Sequence, residues 1–252
     1  MAVNASVSKS AELLGDPNFP EILFSAPQRE RIERYQELYR IYSRLSLSKA
    51  YDRPAAIDGL QQRLLRTMAV KGGFGILYEG KIQGTLPRSL LWYRGGDPDT
   101  SSLTRIEFPN DRVGVPSWSW MAYTGEIDYL SLDFGKIEWE DIESPWSRSD
   151  ETQGNNTLTA KARKYKQNAA GKGQSNLIFD MNPTYAEQHK AVCVVLGVQK
   201  GFMPLSDKRH YVLLVMPTNN PGRNGSNLFE RVGVGYLLGK CIAKDFSSVE
   251  IH

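Results

Sequence analysis

The chain has 252 residues, of which 40% are hydrophobic and 23% are charged, and its formal net charge is +3 at pH 7. This length allows one large domain or two small ones, and the composition is ordinary for a folded globular protein with a sizeable core. The net charge alone favours no class of partner. A dedicated nucleic-acid module usually carries a much stronger basic face, so nucleic acid is not an expected partner.

Membrane and secretory signals are not found in the sequence. No segment approaches the roughly 18 uninterrupted apolar residues that a membrane span needs, and the N-terminus lacks a basic region followed by an apolar run. Cys193 and Cys241 both lie in apolar, strand-like segments. We interpret them as reduced, buried thiols, with a disulfide between neighbouring strands as the alternative. The expected location is cytoplasmic.

The first half of the chain has mainly helical periodicity. Residues 1–27 form an irregular segment that Pro17, Pro20 and Pro27 interrupt. A first helix is predicted from Gln28 to about Leu47, since apolar residues recur on one face at steps of three and four: Ile32, Tyr35, Leu38, Tyr39, Tyr42 and Leu45. Later helices are predicted from Pro54 to the pair Gly72 and Gly73, and over Leu86–Tyr93. Residues 28–114 are therefore predicted to be a helical region.

From residue 115 onward the pattern changes to β-structure. The segments rich in β-branched or aromatic residues are Ile127–Leu132, Lys136–Ile142, Thr157–Tyr165, Ala191–Val198, His210–Met216, Phe229–Leu238 and Cys241–Phe246. Two stretches, Ala191–Val198 and Tyr211–Val215, are almost continuously apolar, as in central strands covered on both faces. The predicted fold class is α+β, with N-terminal helices packed on a C-terminal, largely antiparallel β-sheet or barrel. We expect residues 28–114 and 115–252 to form one compact unit.

No catalytic, cofactor or metal site can be predicted from residue types and spacing. The three histidines, His189, His210 and His252, are scattered and lie at no metal-ligand spacing. Two partial glycine patterns, Gly73-Phe74-Gly75 and Gly233-Val234-Gly235, lack the full nucleotide fingerprint. In the second, close backbone approach or a bulge is the preferred explanation. We do not expect an enzyme, although a site assembled in space stays open as a third hypothesis.

One basic run stands out after the acidic segment 126–151. It contains Lys161, Arg163, Lys164, Lys166 and Lys172 without an intervening acid. We interpret it as a solvated surface loop that follows a strand, with phosphate contact as the alternative.

The most distinctive segment contains Pro116, Ser117, Trp118, Ser119 and Trp120. Pro116 favours an extended entry, and in an extended chain both indoles would share one face while the serines lie on the other. Large aromatic side chains are more often core anchors than exposed platforms. The first interpretation is packing between the helical and β-rich parts. The alternative is an exposed surface that stacks on a sugar or a base.

This segment, followed by Gly125–Tyr129, resembles a hallmark of fungal heterokaryon-incompatibility (HET) proteins in the region downstream of the HET domain. Other segments resemble the family in the same order along the chain, namely Tyr42–Leu47, Tyr51–Arg53, Ala56–Leu60, Leu90–Tyr93 and Phe229–Gly235. The HET domain itself, with its Trp-Ile-Asp-x-x-Cys-Ile-like motif, is not found in the chain.

The resemblance implies a non-catalytic intracellular scaffold or regulatory region that acts through protein partners. In full-length relatives the implied setting is non-self recognition and incompatibility-linked cell death. Activity that belongs to the HET domain cannot be assigned to any residue here. The alternative function is a ligand-binding module that uses Trp118 and Trp120 as an aromatic stacking surface.

Overall fold

The computed structural model describes residues 19–20, 23–80, 84–97, 102–109, 114–147, 156–166, 175–182, 184–221 and 227–252. The helices are α1 (Gln28–Ser43), α2 (Arg53–Met68), α3 (Thr85–Leu90) and α4 (Tyr185–Lys190). The strands are β1 (Lys71–Gly73), β2 (Ile76–Tyr78), β3 (Trp92–Arg94), β4 (Thr104–Arg105), β5 (Tyr123–Thr124), β6 (Ile127–Tyr129), β7 (Ile137–Trp139), β8 (Leu158–Arg163), β9 (Asn176–Phe179), β10 (Val192–Gln199), β11 (Arg209–Pro221), β12 (Asn227–Leu238) and β13 (Ser247–Ile251). No helix in these described ranges has the length and apolar character that a membrane crossing requires.

Helix α1 ends at Ser43, earlier than the predicted end near Leu47. Most of its predicted inner face is buried, but Leu45 lies beyond the helix and is 52% exposed. The early end has a tertiary cause. Arg53, from the start of α2, donates from both Nη atoms to the Ser43 carbonyl at 3.3 Å and so satisfies the end of the helix.

Helix α2 begins with Pro54 in its first turn, as predicted, but Gly72 and Gly73 do not end it. Ala69 adopts a left-handed conformation with φ of 53° after Met68, and its amide donates to the Arg66 carbonyl. This C-terminal cap closes the helix without a glycine. Gly72 and Gly73 instead form β1, which pairs with β2 in a short hairpin.

Helix α3 is also shorter than the predicted Leu86–Tyr93. It ends at Leu90, and Trp92 begins strand β3, which pairs antiparallel with β6. Pairing with β6 keeps this segment extended. The Trp92 indole N–H also donates to the Trp118 carbonyl, at 3.0 Å.

The β-rich part closes on itself as a five-stranded barrel in the order β11, β10, β8, β13, β12, with β12 pairing back to β11. All these pairings are antiparallel except the one between β12 and β13. Strand β7 pairs with β10 and strand β9 with β12 as additions to the ring. The predicted α+β fold class, largely antiparallel after the first helices, is confirmed.

The last predicted strand is wrong. Gly239–Cys241 form a turn of 3-10 helix, and the strand lies later, at Ser247–Ile251. Ile242 donates to the Gly239 carbonyl, which keeps this segment in a turn. Val249 and Ile251 are buried at a spacing of two, and β13 has partners on both sides, so the later segment is the one that completes the barrel.

Alternate residues of the central strands contribute to two hydrophobic clusters. Val194 and Leu213 belong to a large cluster that extends from α1 to β13, whereas Cys193 and Val212 belong to a smaller one. The large cluster contains side chains of both the helical region and the barrel. The two almost continuously apolar strands are therefore covered on both faces, as predicted.

Candidate functional site

The segment Pro116–Trp120, which we call the tryptophan junction, folds as a tight turn and not as the extended chain in which both indoles would share one face. The Ser119 amide donates to the Pro116 carbonyl at 3.0 Å. Trp120–Ala122 then form a turn of 3-10 helix. Because the chain turns between them, the two indoles contact different parts of the molecule and do not share one face.

Trp120 packs against the helical region. Its side chain is fully buried, and its ring lies 5.3 Å from the ring of Tyr39 and 6.1 Å from that of Tyr42. The Arg53 guanidinium lies 5.8 Å from the same indole. Gly75, with φ of +74°, lies against the indole so closely that a Cβ there would be 2.2 Å from Nε1. A glycine is therefore required at position 75 for Trp120 to pack against the hairpin.

Trp118 packs on another side of the junction. It is also fully buried, with ring contacts at 6.0 Å to Phe74 and 5.9 Å to Trp146. Its indole N–H donates to the Asn156 carbonyl at 3.1 Å, just before β8. Its own carbonyl accepts the indole N–H of Trp92 at 3.0 Å. Trp118 thus joins the segment before β8 to the hairpin and to β3.

The two serines bind backbone groups of distant elements. Ser117 Oγ accepts the amide of Arg231 in β12 at 2.9 Å and donates to the carbonyl of His252. Ser119 Oγ donates to the Phe74 carbonyl in the hairpin turn at 2.7 Å. Both hydroxyls are buried, and the contacts of the junction connect the hairpin, the helices and the barrel.

A buried ion pair lies next to the junction. Arg231 is 0% exposed and Asp180 is 1% exposed, and they form two hydrogen bonds, at 2.8 and 3.0 Å. The same guanidinium donates to the Leu90 carbonyl at 2.8 Å and to the Trp92 carbonyl, and it lies over the Trp92 ring. This geometry satisfies both charges inside the core.

This ion pair was not among the predictions from the sequence. Arg231 follows Glu230 in an otherwise uncharged strand, and since successive residues of a strand point to opposite faces, two adjacent charges are a usable signal of a buried partner. Asp180, however, follows β9, a strand that the sequence did not predict. Burial, together with the nearby Asp180 carboxylate, raises the pKa of Tyr123 to about 12.

The other candidate residues form no reactive cluster. Within the described residues, no three His, Cys, Asp or Glu side chains are placed to hold a metal ion. His210 Nδ1 lies 3.0 Å from the Lys208 carbonyl, and burial lowers the pKa of His210. Cys193 and Cys241 are free and buried, and burial raises the pKa of the Cys193 thiol to about 12. This thiol is therefore a poor nucleophile.

The glycine pattern in β12 serves close backbone approach, as predicted. A Cβ on Gly233 would lie 2.4 Å from the Ile178 carbonyl oxygen, and one on Gly235 would lie 2.0 Å from that of Asn176. Both contacts are with β9, so these glycines allow that strand to pair.

The predicted basic loop is in part a strand. Lys161 and Arg163 lie in β8, and residues 167–174 are outside the described ranges. Lys161 and Arg163 line a cavity of about 500 Å³ together with Lys240 and Lys244 from the segments flanking Ile242. We call this cavity the basic groove. Its remaining lining includes Glu140 and Asp141, the buried His210, and an apolar floor of Ile142, Ala160, Val194, Val198 and Ile242.

A second cavity, of about 680 Å³, lies between α2 and the β1–β2 hairpin and is bordered by Phe74, Phe108 and Met121. It approaches the tryptophan junction but does not expose either indole, since both remain fully buried.

Comparisons of the chain with protein-family models, with curated proteins and with solved structures give no match.

Proposed function

We propose that this protein is a non-catalytic scaffold or regulatory module that acts through protein contacts in the cytoplasm. Its resemblance to the C-terminal part of fungal HET proteins implies a role in non-self recognition and incompatibility-linked cell death. The observation that carries the proposal is the burial of the whole tryptophan junction at the contact between the helical region and the barrel.

The junction supports a scaffold because both serine hydroxyls, the Trp118 indole N–H and both indole rings are used in internal contacts. Trp120 contacts α1 and α2, Trp118 contacts the hairpin and the segment before β8, and Ser117 bonds to β12. The residues on which the family resemblance depends therefore fix the architecture. Recognition is left to the surfaces that this architecture presents.

The alternative use of Trp118 and Trp120 as a stacking surface needs an open indole face. Both side chains are 0% exposed, so neither offers one in this structure. A base or sugar would have to displace Tyr39 or Phe74 before it could stack.

A non-catalytic role agrees with the state of the buried ionisable groups. Arg231 and Asp180 bind each other, and the Arg231 guanidinium also donates to the Leu90 carbonyl inside the core. The raised pKa of the Cys193 thiol disfavours a thiolate nucleophile at neutral pH. Two free, buried cysteines also fit a reducing compartment.

A domain exchange tests the proposal. The chain replaces the region downstream of the HET domain in a HET protein that kills its host on induction, and viable cells are counted after induction. We expect the fusion to kill, and a fusion that carries an unrelated soluble protein of similar size to leave the host viable. Equal viability of the two fusions would contradict the proposal.

The non-catalytic part of the proposal has its own test. The purified chain is incubated with NAD and with nucleoside triphosphates, and products are separated by chromatography. We expect no product above the level of a heat-denatured sample. Turnover that increases with protein concentration would show that the chain is an enzyme.

A further inference from the structure

Exposed apolar side chains are concentrated at one hairpin, between β10 and β11. Phe202 is fully exposed there, Met203 is 48% exposed and Leu205 is 63% exposed. Lys200 and Lys208 flank the three residues in sequence. Consecutive exposed apolar residues with charged neighbours are typical of an interaction surface.

The hairpin adjoins the basic groove, because Leu205 is one of the residues that line it. The groove exists because β8 and β10 separate. In the described residues the two strands pair only at Arg163 with Cys193 and at Ala162 with Val194, and β10 then pairs with β7. Between the two sheet edges, the floor residues Val198 and Ile242 are partly exposed, whereas Ile142, Ala160 and Val194 are buried.

The groove contains four cations and two carboxylates, those of Glu140 and Asp141. Among the described residues, none of Lys161, Arg163, Lys240 and Lys244 forms an ion pair with a carboxylate. Two of them are held in place. Lys161 Nζ lies 4.9 Å and the Arg163 guanidinium 5.3 Å from the centre of the Phe246 ring, and Arg163 also donates to the Lys244 carbonyl. Four cations and two carboxylates therefore surround the apolar floor, and the cations are in excess.

We propose that the basic groove binds an acidic peptide segment of a partner protein, with the partner's apolar side chains on the floor and against Leu205 and its carboxylates on the four cations. The inference rests on the proposed function, since it names the surface through which the module makes its protein contacts. A volume of about 500 Å³ is within the range of about 300–1,000 Å³ that is usual for ligand pockets.

A peptide fits this surface better than a lipid bilayer does. The partly exposed floor residues Val198 and Ile242 lie inside the cavity, which a narrow chain can enter, whereas a bilayer is flat. Glu140 and Asp141 also line the groove, and they would repel a continuous layer of anionic headgroups. A peptide can place its carboxylates at the cations and avoid these two acids.

Fluorescence anisotropy of a labelled short peptide, in which glutamate alternates with leucine and phenylalanine, tests the inference. We expect the purified chain to bind it and to bind a matched glutamine peptide at least about tenfold more weakly, with affinity falling as salt is raised. The double variant Lys240→Glu/Lys244→Glu should weaken binding at least about tenfold, and Leu205→Ser should weaken it severalfold. All three side chains are exposed, and unchanged circular-dichroism melts will show that these variants fold.

The matched control is Lys49→Glu/Lys71→Glu, which makes the same change in net charge at exposed positions outside the groove. This control should bind like the wild type. Equal weakening by both double variants would assign binding to net charge and overturn the groove. Sedimentation with phosphatidylserine vesicles, without peptide binding, would overturn it in favour of a membrane surface.

Binding of neither probe would also overturn the groove. That failure is separable from failure of the module proposal, because the domain exchange uses the intact chain and no peptide probe. Killing by the fusion without peptide binding would refute only the groove.

Discussion

Replacing Arg231 with methionine removes the guanidinium from the buried network and keeps most of the apolar stem. Asp180 then loses two charge-assisted hydrogen bonds and remains in the core. The carbonyls of Leu90 and Trp92 lose a donor at the same time. Breaking a buried pair from one side costs about 3–5 kcal/mol. Since 1 kcal/mol corresponds to about 2–4 °C for a chain of this size, the melting temperature should fall by roughly 6–20 °C.

Urea and thermal unfolding, followed by tryptophan fluorescence and far-UV circular dichroism, measure the effect. The matched control is Arg209→Met, since Arg209 is exposed and lies over the Tyr236 ring at 4.6 Å. That change should cost less than about 1 kcal/mol. The double variant Arg231→Met/Asp180→Leu should lose less than the sum of the two single losses, because it leaves no lone buried charge. A loss below about 1 kcal/mol in Arg231→Met, or strict additivity, would refute the reasoning.

Three further predictions concern the glycine under Trp120, the histidines and the thiols. Gly75→Ala should destabilise by at least about 1 kcal/mol more than Gly80→Ala. Both positions have positive φ, but only at Gly75 would a Cβ meet the indole; equal losses in urea unfolding would contradict this. Burial lowers the pKa of both His210 and His252, so the unfolded chain binds more protons below the ordinary histidine pKa of about 6.5. The free energy of unfolding should therefore decrease as pH falls from 7 towards 5, and His210→Gln/His252→Gln should flatten that profile, whereas a flat wild-type profile would count against it. Because both thiols are buried, Ellman's reagent should label the folded chain slowly and the urea-unfolded chain at both cysteines; prompt labelling without urea would show that a thiol is accessible.

Periodicity predicted α1, α2 and the central strands because their buried side chains repeat at the spacing of the element. Ile32, Tyr35 and Leu38 are three apart, and Val194 and Leu196 are two apart, and all five are buried. The ends of the helices were not predictable in this way. Arg53, which lies outside α1, donates to the Ser43 carbonyl at the end of that helix. Ala69 ends α2 in a left-handed backbone conformation that the sequence does not predict.

For the candidate sites, too, the sequence predicted which side chains are buried but not the contacts between distant residues. Burial was the first interpretation of Trp118 and Trp120, and it is confirmed, because large aromatic side chains favour the core. The local sequence pattern did not predict the turn at Ser119. It also did not predict the pairing of Arg231 with Asp180, because these residues are 51 positions apart. The basic groove likewise combines cations of β8 with cations close to the last strand, and barrel closure brings these segments together.

The central claim is that the tryptophan junction holds the helical region against the barrel, and the unfolding free energy of Trp118→Ala/Trp120→Ala tests it most directly. Each indole is fully buried, so its removal should cost about 3–5 kcal/mol, and the pair should remove most of the stability of a typical domain, about 5–15 kcal/mol. Phe202→Ala, at a fully exposed ring, serves as the control and should melt like the wild type. We expect the double variant to melt at a sharply lower temperature or to be unfolded in buffer. A melting curve that superimposes on that of the wild type would contradict the account.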